Sequence, residues 1–153
     1  MEIETRKIYN SEYKIVSEMF NKYRIFYKQP SDIVLAENYL KERLEQNEAH
    51  IFITFLKSEL TPIGFTLLYP KFSSVSAKKN WHLGDLYVEP EFRKQGIGEK
   101  LLQTAINFSR EKNARFVSLN TAFDNHTAQK LYENFGFLKK EPTPGYFYYQ
   151  YDL

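Results

Sequence analysis

The stretch "VEPEFRKQGIGEKLL", Val88 to Leu102, sets two glycines one residue apart, just after the adjacent cations Arg93 and Lys94 and just before an apolar helical pattern. A helix N-terminus presents N–H groups without intrahelical partners and about half a positive charge, so it attracts phosphate. Glycine there removes the side chain that would hold a phosphate oxygen off the backbone. Gly96-Ile97-Gly98 beside Arg93 and Lys94 can therefore cradle a pyrophosphate. On this corner alone, an ordinary loop-to-helix turn is the alternative. Two nucleotide-binding patterns fail on spacing. A Walker loop needs Lys followed by Ser or Thr after its last glycine, and Gly98 is followed by Glu99, Lys100 and Leu101. The dinucleotide fingerprint needs a third glycine where Leu101 stands, and it starts at the end of a strand, whereas seven residues separate Val88 from Gly96.

The elements that must hold this corner follow from periodicity. A first strand is expected over Ile3 to Tyr9. Ile15, Met19, Phe20, Tyr23, Phe26 and Tyr27 recur at helical spacing between Ser11 and Lys28. Ser31 or Asp32 can cap a second helix to about Gln46, with Leu35, Tyr39, Leu40 and Leu44 inward. "HIFITFL" and "PIGFTLLY" are two strands of a hairpin, "PKFSSVSAKKN" a polar loop, and "WHLGDLYV" a fourth strand. Ile97, Leu101, Ala105 and Phe108 mark a third helix ending near Lys112. "ARFVSLNTA" is a fifth strand. A fourth helix runs from about Asn125 to Phe135, with Gly136 suited to left-handed closure. "FLKKE" and "YFYYQYDL" are expected as the last two strands. The strand-helix-strand unit requires a parallel pair and the hairpins antiparallel ones, so the fold class is α+β with a mixed, mostly antiparallel sheet of about seven strands and four helices.

Composition narrows the function. A chain of 153 residues without linker or repeat is read as one domain, residues 1–153. Twenty-one Lys and Arg against nineteen Asp and Glu give a net charge of +2, without the basic stripe of a nucleic-acid binder. No cysteine is present, so a route through an acyl-cysteine is excluded, as are thiolate metal sites. No metal site is expected. No apolar run approaches the roughly 20 residues that span a bilayer, and a cytoplasmic protein without membrane partners is expected. The aromatic end "GYFYYQYDL" is a candidate self-association face.

"RKQGIG" resembles the coenzyme A pyrophosphate motif of the GNAT superfamily of N-acetyltransferases, and "LYVEPEFRKQGIGEKLL" is similar to that family almost throughout. "DNHTAQKLYENFGF", Asp124 to Phe137, is similar to its later block. "YRIFYKQPSD", "YPKFSSVS" and "GDLYV" resemble a bacterial branch related to polyamine and histone-tail acetylating members. The resemblance implies the GNAT fold and acetyl-CoA as cosubstrate. The acceptor it implies is an amine: a small molecule, a polyamine, or a protein lysine or N-terminus. It also implies a homodimer by family habit.

Family resemblance implies that the fourth and fifth strands splay apart, with the backbone of Leu86 and Val88 free to pair with the pantetheine arm and the Leu86 N–H polarising the thioester carbonyl. Gln95, Gly96, Ile97 and Gly98 would give N–H groups to the phosphates, with charge from Arg93 and Lys94. Asn125 is a favoured cap and matches an asparagine that contacts the coenzyme. Tyr132 lies on the stripe Ala128, Leu131, Tyr132, Phe135, where it could be one more core aromatic. In the family pattern it protonates the departing thiolate, an easy transfer between a phenol of pKa about 10 and a thiol of about 8.5. For the base, period two puts His82, Gly84, Leu86 and Val88 on one face of the strand and Trp81, Leu83, Asp85 and Tyr87 on the other. Histone-type relatives carry glutamate at the position of His82 and diamine-type relatives at that of Gly84, so this sequence departs from both. His82 or a water chain could carry the proton, and His82 is equally an exposed strand-entry residue. Tyr27, Gln29 and Phe72 match substrate-binding positions of the branch, and as bare residues they are packing and turn positions. A non-catalytic acyl-CoA sensor is the alternative function.

Overall fold

The apolar spacing of the first 46 residues produces two helices that cover one face of a sheet. In the computed structural model, which describes all 153 residues, α1 (Tyr13–Phe26) buries Val16, Met19 and Phe20 and α2 (Ile33–Glu45) buries Ala36, Leu40 and Leu44. Asp32 caps α2 by accepting the Leu35 N–H at 3.0 Å, one of the donors that a helix start leaves unpaired. Leu35 and Phe26, expected inward, are exposed, and Val16 and Ala36 take the core positions.

Two compact units make up the chain, Met1–Asn120 and Thr121–Leu153. The first contains a five-stranded sheet in the order β1 (Ile3–Lys7), β2 (His50–Leu56), β3 (Thr61–Ser73), β4 (Lys78–Val88), β5 (Val117–Ser118). The first four strands pair antiparallel and β5 joins β4 in parallel. Odd-numbered side chains of β2 and β3, Ile51, Ile53, Phe65 and Leu67, pack with Val16, Phe20, Leu40 and Tyr87 under α1 and α2. The other face takes α3 (Ile97–Glu111). Ile97 and Leu101 approach so closely that a side chain at Gly64 would meet both at 3.3 Å, and Phe108 sits in an aromatic group with His50, Phe52 and Trp81. Burial among these rings lowers the His50 pKa to about 4, so the ring is neutral at physiological pH.

Three expectations are corrected. The polar segment after Tyr69 is mostly strand: β3 and β4 pair as far as Ser73 and Lys78, leaving residues 74–77 as the turn. Lysine and aromatic side chains stabilise this extension, with the Lys79 ammonium over the rings of Phe72 and Trp81 at 5.7 and 4.9 Å. The fifth strand is only Val117–Ser118, tied to β4 by the Arg115 N–H donating to Asn80 Oδ1 at 2.9 Å. The two final strands are absent, so the sheet has five strands and not seven.

The second unit holds α4 (His126–Phe135). Asn125 Oδ1 accepts the Ala128 N–H at 3.2 Å, and Gly136, at φ 121°, closes the helix with its N–H on Tyr132 O. Phe137 follows, its ring against Tyr132 at 5.8 Å and Phe135 at 5.9 Å. Tyr146 to Tyr149 and Tyr151 are exposed.

Candidate active site

Strand β4 loses its outer partner early. It pairs with β5 only through Trp81 and His82, then runs six residues further to Val88. Backbone groups alternate sides along a strand. Glu89 N–H bonds Ile63 O on β3 at 2.8 Å, so the N–H and C=O of Val88, and two residues back those of Leu86, point to the open edge. Arg93 occupies part of that edge, its Nε donating to Val88 O at 2.8 Å with the guanidinium 5.6 Å from the Tyr87 ring. This is the pairing surface that an extended amide-bearing ligand needs.

The loop that follows builds an anion cradle from backbone. Lys94 and Gly96 both take left-handed conformations, φ 59° and 82°, on either side of Gln95, an arrangement that turns successive N–H groups inward. Gly96 is the N-cap of α3 and no side chain caps this helix, so the amides of its first turn have no partner but solvent or ligand. A side chain at Gly96 would meet no atom within 4 Å, so the glycine serves conformation and open space, not packing. Gln95 Nε2 is turned back onto Glu91 O at 3.0 Å. Ile97 is buried and anchors the helix, and Gly98 is half-buried beside it.

Period two does not survive along β4. Leu67 faces Asp85 and Leu68 faces Leu83, so Gly84 is an extra residue, a β-bulge. His82 therefore pairs with Tyr69 and Asp85 with Leu67, and both side chains share the face of α1 and α2 with Tyr87. Sequence alternation had set Asp85 on the opposite face from His82. Leu86 and Val88 lie on the α3 face. His82 is half-buried, its Nδ1 2.9 Å from Ser118 Oγ, and its pKa is lowered by burial and then by Lys71.

Four side chains that sequence reasoning left out of the site surround the bulge. The Tyr23 hydroxyl donates to Gly84 O at 3.0 Å. Tyr69 and Tyr39 share a hydroxyl hydrogen bond of 2.6 Å, and the Tyr69 ring covers Gly84, where a Cβ would stand 2.4 Å from Cε2. Asp85 is 7% exposed, and its Oδ2 has no hydrogen-bond partner. Burial raises the Asp85 pKa to about 7, with Tyr23 opposing the shift in part, and burial raises those of Tyr23 and Tyr69 well above the usual phenol range. A glycine inside a strand pattern was the available signal.

Of the residues expected to meet substrate, Tyr27 is at the C-terminus of α1 with its ring 4.9 Å from that of Tyr23, and Gln29 lies exposed just beyond. Phe72 is not brought near them by the sheet. It pairs with Lys79, six residues along β3 from Thr66, the partner of Leu86, or about 20 Å at strand rise. Asn125 and Tyr132 belong to the second unit, at the cap and second turn of α4.

An open strand edge followed by an uncapped, glycine-opened helix fits the coenzyme A motif that the sequence resembles. The chain belongs to the acetyltransferase (GNAT) family, whose model matches residues 10–137. It is 40% identical over 144 residues to the uncharacterized N-acetyltransferase YhfO of Bacillus subtilis (strain 168), covering 94% of this chain and 93% of that one. A crystal structure of a probable acetyltransferase matches with a TM-score of 0.88 and 34% identity over the whole of both chains. A predicted acetyltransferase from Clostridium acetobutylicum, crystallised with acetyl-CoA, matches in fold with a TM-score of 0.76 and 17% identity, covering 97% of this chain and 96% of that one. The protein is an acetyl-CoA-dependent N-acetyltransferase. No helix is long and apolar enough to cross a membrane.

Proposed function

We propose that the protein binds acetyl-CoA and an acceptor with a primary amine together and transfers the acetyl group by direct attack of the amine. The observation that carries this reading is the open edge at Leu86 and Val88 leading into a helix start that no side chain caps. Gln95, Gly96, Ile97 and Gly98 give backbone N–H groups to the pyrophosphate, and Arg93 and Lys94 add positive charge. Arg93 would leave Val88 O for the phosphates as the pantetheine arm takes its place. The Leu86 N–H polarises the thioester carbonyl and holds the oxyanion that forms on attack.

In the same proposal the Tyr132 hydroxyl protonates the departing thiolate, and Asn125 contacts the coenzyme while capping α4. His82 helps to carry the amine's proton to solvent. Tyr27 and Gln29 line the acceptor's approach, and Phe72 meets only the far end of a long acceptor. The absence of cysteine supports a ternary complex over an acetyl-cysteine intermediate. The proposal takes the enzyme to work in the cytoplasm as a homodimer, for which the exposed tyrosines of the C-terminal segment offer apolar contact area.

The test is thiol release from acetyl-CoA by purified protein against amino acids, polyamines, aminoglycosides and lysine peptides. Tyr132→Phe is expected to lower kcat about 10²-fold or more with little change in acetyl-CoA affinity. Binding of acetyl-CoA without transfer to any amine would instead establish a sensor.

A further inference from the structure

The bulge at Gly84 produces an arrangement that the acetyl-transfer reading does not by itself require. One extra residue brings a carboxylate to the strand face that meets α1 and α2, directly beside the position where the strand edge opens. A buried carboxylate is normally paired or hydrogen-bonded through both oxygens. Asp85 has neither: Oδ2 is without a partner, and no lysine or arginine is among the groups that act on it. Its surroundings are phenols and an imidazole. Tyr23 comes from α1 and Tyr69, hydrogen-bonded to Tyr39 of α2, from β3, while His82 and Tyr87 share its face of β4.

Tyr23 joins this carboxylate to the surface. Its hydroxyl is on Gly84 O and lies within reach of the Asp85 carboxyl, while its ring is half-buried beside the exposed Tyr27. An ammonium group entering over these two rings meets electron-rich faces first and a phenol oxygen second. The position where diamine-type relatives carry glutamate is closed here, because the Tyr69 ring fills the space above Gly84.

We propose that Tyr23 and Asp85 form a proton relay that converts the acceptor's ammonium to the attacking amine. It rests on the acetyl-transfer reading. The ammonium N–H bond breaks and its proton passes to the Tyr23 oxygen, while the Tyr23 O–H turns from Gly84 O to the Asp85 carboxylate, its bond breaks and that proton passes to the carboxylate. The nitrogen lone pair so released attacks the thioester carbonyl carbon. Tyr23 ends the step neutral, Asp85 ends it protonated, and solvent reclaims the proton after product leaves. Tyr23 touches the substrate, and Asp85 acts through it. A carboxylate poised near 7 is matched to this exchange at neutral pH.

The experiment is the pH profile of kcat/KM between pH 5 and 9 for the wild type, Asp85→Asn, Asp85→Glu, Tyr23→Phe and His82→Gln, with circular dichroism and the acetyl-CoA Kd of each. The wild type is expected to gain activity with pH through a limb near 7, because the relay needs the ionised carboxylate. Asp85→Asn removes that limb and lowers kcat about 10²-fold or more, Asp85→Glu restores part of the rate, and acetyl-CoA affinity holds. Tyr23→Phe shows the same loss, whereas His82→Gln lowers the rate, as expected of a group that helps the proton on to solvent, but keeps the limb. The relay is overturned if folded Asp85→Asn and Tyr23→Phe both keep wild-type kcat and limb, or if His82→Gln alone abolishes the limb. A wild type inactive with every amine overturns the transfer reading and the relay with it, whereas an active wild type with unaffected variants overturns the relay alone.

Discussion

Asparagine at position 85 keeps the shape of the side chain and removes its ability to ionise, which isolates the electrostatic part of its burial. In the folded chain the Asp85 pKa is about 7, against 3.8 for an unburied aspartate. The folded state therefore holds a proton at pH values where the unfolded state has released it. The sign follows by linkage: the stability that Asp85 contributes is complete below about pH 4 and is lost as pH rises through 7. About three pKa units at 1.36 kcal/mol each give roughly 4 kcal/mol. His50 works in the opposite direction, since its lowered pKa means that stability falls as pH drops from 6.5 toward 4. That slope is common to the wild type and Asp85→Asn and cancels in their difference, as does any fixed cost of burying the amide. The assay is urea unfolding of both proteins at half-unit steps from pH 4 to 8.5, read by circular dichroism. With an m-value of about 2 kcal/mol/M, the wild-type midpoint should fall by about 2 M relative to the variant across that range. A difference that stays flat from pH 4 to 8.5 would refute the claim that this carboxylate is buried without a counter-charge.

Gly84→Ala places a methyl group 2.4 Å from the Tyr69 ring, and the clash should cost about 1–3 kcal/mol in unfolding free energy. In a Tyr69→Leu background the same substitution should cost much less, and an undiminished cost there would show that the strain lies elsewhere. Gly96→Ala meets no neighbour, so its stability cost is only the left-handed backbone, about 1–2 kcal/mol. Titration calorimetry should show a much larger fractional loss of acetyl-CoA affinity, and unaltered affinity would place the pyrophosphate away from this helix start.

The glycine-opened start of α3 was legible because it is written in local residue types: glycines, cations and a helix start need no distant partner to be read. Helix boundaries were legible for the same reason, with Asp32, Asn125 and Gly136 doing at their termini what their types predict. Strands were read less well, since a strand is completed by its neighbour. Lys71 and Lys79 are poor strand formers, yet ladder pairing carries β3 and β4 through them. The tyrosines after Gly145 are good strand formers, yet no ladder receives them. The placing of Asp85 and His82 on one face was illegible for a third reason. Alternation counts residues, and a single unpaired residue at Gly84 reverses the count for everything before it.

The Tyr69 ring over Gly84 also constrains how this enzyme could change by mutation. A glutamate introduced at 84 alone would have to displace an aromatic ring fastened through Tyr39, so the first step toward a glutamate-based site loses stability before it gains chemistry. Shrinking residue 69 first opens the space but frees the Tyr39 hydroxyl from its partner. Positions 39, 69 and 84 are thus epistatic, and descendants of this sequence should exchange them together or not at all.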